Sequence, residues 1–239
     1  MTEFSRTDDL REAQFRNVDL TGARFRGCNF SRVRMTDMWL VDVDLDGMIN
    51  RVTVNGVDVV PFVVAELDRR HPERTLLRAD DLDSMRRGWT TLTAIWDETI
   101  ARALRLPTER LFESVDDEWS FAQTLRHLVF ATDKWFTHPV LGEPYDPIGI
   151  PNTGSGSVAF LGIDEDADPA VDEILASRND RVARVTEYLT GASSDDLERT
   201  GAVLGAGTPP VRTCLHVVFD EQWAHHRYAQ RDLSVLEQA

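Results

Sequence analysis

Apolar residues recur along this chain with two different periods, one at each end. Every fifth residue from Leu10 is large and apolar: Leu10, Phe15, Leu20, Phe25, Phe30, Met35, Leu40 and Leu45. Two positions before each runs a second series, Asp8, Ala13, Val18, Ala23, Cys28, Val33, Met38 and Val43, apolar in all but the first. A period of five walks around a 3.6-residue helix and fits no flat strand of period two, so the chain must turn a corner every five residues. The register fades after Leu45. Arg51 to Val54, Asn55-Gly56 and Val57 to Val59 then predict a hairpin with the turn pair at its tip.

Beyond Arg78 the period becomes helical. Met85, Trp89, Leu92, Trp96, Ile100 and Leu104 predict a first helix over 82–104, ended by Leu106-Pro107. Ser120, with Gln123 three residues on, starts a second helix that runs through Leu125, Leu128, Val129 and Trp135 to before Pro139. Val171, Ile174, Leu175, Val182, Val185 and Leu189 mark a third over 170–190, with Gly191 at its C-cap. A fourth begins at Thr208-Pro209-Pro210 and continues to about Leu236. Between Pro139 and Pro169 lies a long aperiodic stretch, unusual in a compact domain unless it covers a site or crosses the fold. Residues 61–78 are expected to be a connector with one short helix. The organisation expected is therefore α+β: a repeat segment with its hairpin over 1–60, the connector over 61–78, and a four-helix bundle over 79–239.

The front segment resembles the pentapeptide-repeat family, on the units Val18-Asp19-Leu20-Thr21-Gly22, Ala23-Arg24-Phe25-Arg26-Gly27 and Cys28-Asn29-Phe30-Ser31-Arg32. The resemblance implies a right-handed, four-sided β-helix, of about two coils for eight units. Cys28 then occupies an inward position, where a small core residue is expected. Some members of that family mimic DNA with an acidic surface, which makes the location of the charge informative. The chain has 239 residues and a formal charge of −15. Residues 1–60 hold 10 acids against 8 bases, however, and residues 61–239 hold 31 against 18. The repeat is nearly neutral and is expected to be a platform for packing or interaction.

The acidic balance also argues against nucleic acid and anionic membranes as partners. The longest nearly apolar run, Val59 to Ala65, is too short for a membrane span, and the polar start has no signal-peptide layout, so a cytoplasmic location is expected. Two cysteines, Cys28 and Cys214, make no CxxC pair and no disulfide framework.

Six histidines carry the remaining chemistry: His71, His127, His138, His216, His225 and His226. His71 and His138 precede prolines, and His216 has a helix-surface partner in Asp220 four residues on. On the fourth helix Cys214, Val218, Glu221, His225 and Asp232 share a face, so Glu221 and His225 project side by side from successive turns. His127, in line with Thr124, Ala131 and Trp135 on the second helix, can complete a set of two imidazoles and a carboxylate. Such a set suits a catalytic zinc ion and also accepts nickel, iron or cobalt. Spacing alone equally allows a hydrogen-bonded Glu and His pair that packs the core, or a solvated face. Gln222, His226 and Phe219 form a rival register one residue around the helix.

Two stretches decide among these. Trp119 through Asp133-Lys134-Trp135, and Glu221 through His225-His226 to Arg231-Asp232-Leu233, resemble the DinB family of four-helix metalloproteins over roughly 78–239. The resemblance implies three metal ligands, at His127, Glu221 and His225. The Glu is similar to the branch containing mycothiol-dependent maleylpyruvate isomerase. It implies S-transfer or isomerisation of a small-molecule substrate, with a low-molecular-weight thiol such as mycothiol as cosubstrate. Glu118, Asp133, Arg227, Tyr228, Arg231 and Asp232 are candidates for supporting contacts, although surface charge or a helix-end salt bridge is the reading preferred for each alone, and Cys214 is expected to be a core cysteine. A non-catalytic interaction module and a metal-dependent hydrolase using the same ligands are the alternatives.

Overall fold

The computed structural model describes Phe4 and residues 8–238. The first residues of the expected repeat segment and the last residue of the expected bundle thus lie outside the described residues. The chain divides into two compact units, Met1–Met48 with Asn152–Gly156, and Ile49–Pro151 with Ser157–Ala239.

In the first unit the corner predicted every five residues is visible in the backbone. Glu12, Asn17, Gly22, Gly27, Arg32, Asp37 and Asp42 all take left-handed φ values between 52° and 75°, at a strict spacing of five. Turn bonds from Ala13 N to Leu10 O, Ala23 N to Leu20 O and Val33 N to Phe30 O close alternate corners. Asp19 and Asn29 reinforce them by accepting from the backbone N–H two residues on, the local bond that favours Asx residues in turns. The apolar series remains open to solvent, with Phe15, Phe25 and Phe30 at 61, 59 and 44% exposure. Cys28 is exposed too, contrary to the expected core position. A repeat unit buries its apolar face only by stacking on neighbours, and eight short units offer few of them.

The second unit opens with the predicted hairpin, β1 Thr53–Val54 paired antiparallel with β2 Val57–Asp58. Asn55 and Gly56 both adopt positive φ, as a two-residue turn matched to the strand twist requires. The expected connector is more helical than its sequence suggests, holding α1 Val60–Arg70 and α2 Arg74–Leu77. Val60, Val63, Val64 and Leu67 recur at helical spacing along α1, yet none of its residues is buried.

Four longer helices follow: α3 Leu82–Ala103, α4 Phe121–Thr132, α5 Val171–Gly191 and α6 Val211–Leu236. Both α3 and α4 pack against α5 and α6. Asp81 caps α3 by accepting from Ser84 N, and Ser120 and Gln123 form a full capping box on α4. Gly191 closes α5 as its last residue and is not the cap. The terminal carbonyls of α5 are taken up by Arg86, which donates to Leu189 O and Ala192 O. Pro139 does not stop the second helix where expected. The backbone continues as a π-helix, Asp133–Leu141, ended by Gly142 at φ 75°.

Leu125 and Leu128 share a core cluster with Ile174, Asp133 meets Arg181, and Phe136 meets Tyr188, so α4 and α5 run in the same direction. The segment between them is accordingly a crossover. It is fastened to the bundle: Asp146 N donates to Asp133 Oδ2, and Ser177 Oγ donates to Asp146. Trp96, Phe136, Phe219 and Leu215 lie at the centre of the core, none of them exposed. No helix among the described residues is long and apolar enough to cross a membrane.

Candidate metal centre

The ligand positions come from two helices and are tuned by a loop. His127 is two turns into α4, 1% exposed, while Glu221 and His225 occupy successive turns of α6. Their donor atoms all lie within 4.8 Å of one another. His127 Nε2 is 3.5 Å from Glu221 Oε2, and the two imidazole centroids are 4.7 Å apart.

Both histidines are oriented by main-chain oxygens. The crossover loop brings Ile150 O to 2.9 Å from His127 Nδ1, and Glu221 O lies 2.9 Å from His225 Nδ1. Each Nδ1–H therefore donates to a carbonyl, an assignment made from the hydrogen-bond pattern, and each Nε2 presents a lone pair. For His127 this lone pair is sealed from solvent without a hydrogen-bond donor, and it faces a carboxylate oxygen that is also an acceptor. Two acceptors facing each other, the imidazole one buried, are relieved by a cation between them, a proton or a metal ion. Two imidazoles and one carboxylate are donors that a divalent metal accepts, so the residues fit the group.

The electrostatics favour the deprotonated forms a metal requires. Burial pushes the Glu221 carboxyl up, and with a proton on His127 that neighbour, together with His225 and Lys134, outweighs it and holds the group below its usual range. Burial, with His127 adding to it, pushes His225 down. Trp119 walls the site, its ring 4.5 Å from His127 and 6.0 Å from His225, and Phe130 stands 6.3 Å from His127.

Other expected residues go elsewhere. His226 turns away, Nε2 bonded to Thr99 Oγ1 and its ring edge-on to Trp96, and Gln222 is buried with its carbonyl accepting from Trp96 Nε1, so the rival register builds no ligand set. His216 bonds Ala79 O across to another segment, His138 bonds Glu143 O, and His71 packs edge-on against Trp223. Asp133, a candidate supporting residue, is fully buried and makes a salt bridge with Arg181. Glu118, Arg231 and Asp232 form a linked set at 2.6 and 2.7 Å, with Arg231 over the Tyr228 ring, which itself lies edge-on to His225. Cys214 is fully buried, and desolvation pushes its thiol up to about 11.

Sequence reasoning missed Ile150 and Trp119 as parts of the site. A main-chain oxygen leaves no trace in residue type, and the only available sign was the unusual length of its loop. The DinB superfamily profile matches residues 91–229, and the pentapeptide-repeat profile matches residues 9–47 in 8 copies. Neither a curated protein nor a solved structure matches the chain.

Proposed function

The chain belongs to the DinB superfamily and carries pentapeptide repeats, and from that premise we propose a metal-dependent enzyme that uses a low-molecular-weight thiol for S-transfer or isomerisation. His127, Glu221 and His225 would hold a divalent metal, zinc being the best match to the donors, with nickel, iron and cobalt compatible. The observation that carries this reading is the sealed Nε2 lone pair of His127 facing the Glu221 carboxylate. When bound, such a metal acts as a Lewis acid that favours the thiolate of a coordinated thiol.

The protein's own groups have separate tasks. Ile150 O and Glu221 O hold the two imidazoles in the tautomer that offers Nε2. Trp119 and Phe130 exclude water from the buried side, which strengthens every charge interaction there. Burial and a raised pKa make Cys214 a poor nucleophile, and in this reading the sulfur would come from a cosubstrate, for which mycothiol is proposed. For the repeat segment we propose the two-coil, four-sided β-helix and a role as an interaction platform.

The test is consumption of mycothiol in the presence of a panel of small electrophiles by the zinc-loaded protein, beside His225→Ala. Turnover in the wild type that falls by a factor of at least about a hundred in the variant supports the proposal. Folded, metal-loaded protein that consumes no thiol with any electrophile overturns the thiol reading.

A further inference from the structure

One core position breaks the apolar logic of α5. Ile174, Val185 and Leu189 face the interior at 0 to 2% exposure, and the fourth member of that face is Arg178, at 3%. Its guanidinium lies over the ring of Trp96, 5.3 Å from the centroid. Nε and Nη2 are both sealed from solvent without a hydrogen-bond partner, and among the described residues no carboxylate stands within ion-pair distance. The one carboxylate whose field is felt there is that of Asp97, on an exposed position of α3.

Which nitrogens are bare matters more than their number. Nε and Nη2 form one edge of the guanidinium, where two N–H bonds point in parallel and match the two oxygens of a carboxylate. Elsewhere in this chain the same edge is filled in that way: Arg69 grips Glu66 at 2.7 and 2.8 Å, Arg102 grips Glu237 at 2.8 and 2.7 Å, and Arg181 grips Asp133 at 2.7 and 3.2 Å. Arg178 presents the identical edge in the driest setting of the four, with an aromatic face behind it. A buried cation in need of a counter-charge, with an unfilled planar fork, selects a planar oxyanion.

We propose that Arg178 is the anchor of a carboxylate-binding site in the bundle interior, taking a small organic carboxylate on its Nε and Nη2 edge with its guanidinium over the Trp96 ring. Burial lowers the arginine to about 10, so it remains a cation at neutral pH. The site uses none of the three residues of the metal reading, since Arg178 is on α5 and they are on α4 and α6.

The experiment is calorimetric titration and thermal unfolding of the full chain with sodium acetate and sodium butyrate, at ionic strength matched with sodium chloride. Wild type is compared with Arg178→Met, Arg178→Lys and His225→Ala. Saturable binding with a raised melting temperature is expected in wild type and His225→Ala. Affinity falls about tenfold or more in Arg178→Lys, which keeps the charge and loses the fork, and binding is lost in Arg178→Met. Arg178→Met removes a buried charge at similar volume, so it keeps its fold and remains a valid comparison. Carboxylates acting no differently from chloride on wild type would overturn the proposal. So would binding retained in Arg178→Met, or binding lost in His225→Ala, which would assign the carboxylate to the metal centre.

Discussion

Cys214 shows how burial decides chemistry at a single residue. Its thiol sits on the helix that carries Glu221 and His225, yet desolvation raises it from 9.0 to about 11. The unfolded chain releases this proton near pH 9 while the folded chain keeps it. Stability from this group is thus complete below pH 9 and declines as pH rises from 9 towards 11. Urea midpoints measured from pH 8 to 11 should fall more steeply for wild type than for Cys214→Ala. In the native protein at pH 8, Ellman's reagent should titrate one thiol, the exposed Cys28, and both after unfolding. The core role of Cys214 was legible from its helical face. The exposure of Cys28 was not, because the five-residue period gives the direction of a side chain and not what lies beyond it.

At the level of elements, the helices most clearly written in the sequence are those with both a stripe and a cap. Ser120 with Gln123 predicted the start of α4, and the capping box is present. Ser120→Ala should cost about 1 kcal/mol in chemical denaturation, by leaving first-turn N–H groups without an acceptor. The extension past Pro139 was hidden, since proline in an apolar run reads as a stop. Its anchoring rests on Asp133, fully buried, which accepts from Arg181, Thr137 and the backbone of Asp146. Asp133→Ala leaves Arg181 with Asp180 and Asp146 as its remaining carboxylate partners and takes the acceptor from Thr137 and the Asp146 N–H, and should destabilise the protein by about 1–3 kcal/mol. A smaller loss is expected in Asp133→Ala combined with Arg181→Met, so the two losses should not add.

For the whole molecule, two units with separate periods imply separable stability. Removing residues 1–48 should leave the helical circular dichroism and cooperative melting of the bundle in place, because the large buried side chains all belong to the second unit. Collapse of that truncated chain to an unfolded spectrum would contradict the division. The nearness of Glu221 to His225 was legible as a spacing on α6, whereas His127 was singled out as their companion by the family resemblance. The loop carbonyl that fixes His127 was not legible, since only the folded crossover brings Ile150 to it.

The central claim is that His127, Glu221 and His225 hold a divalent metal, and elemental analysis after gentle dialysis tests it most directly. Wild type should carry close to one equivalent, and His127→Ala and His225→Ala should each lose it while remaining folded. A folded wild type that is free of metal and cannot be reloaded would contradict the account.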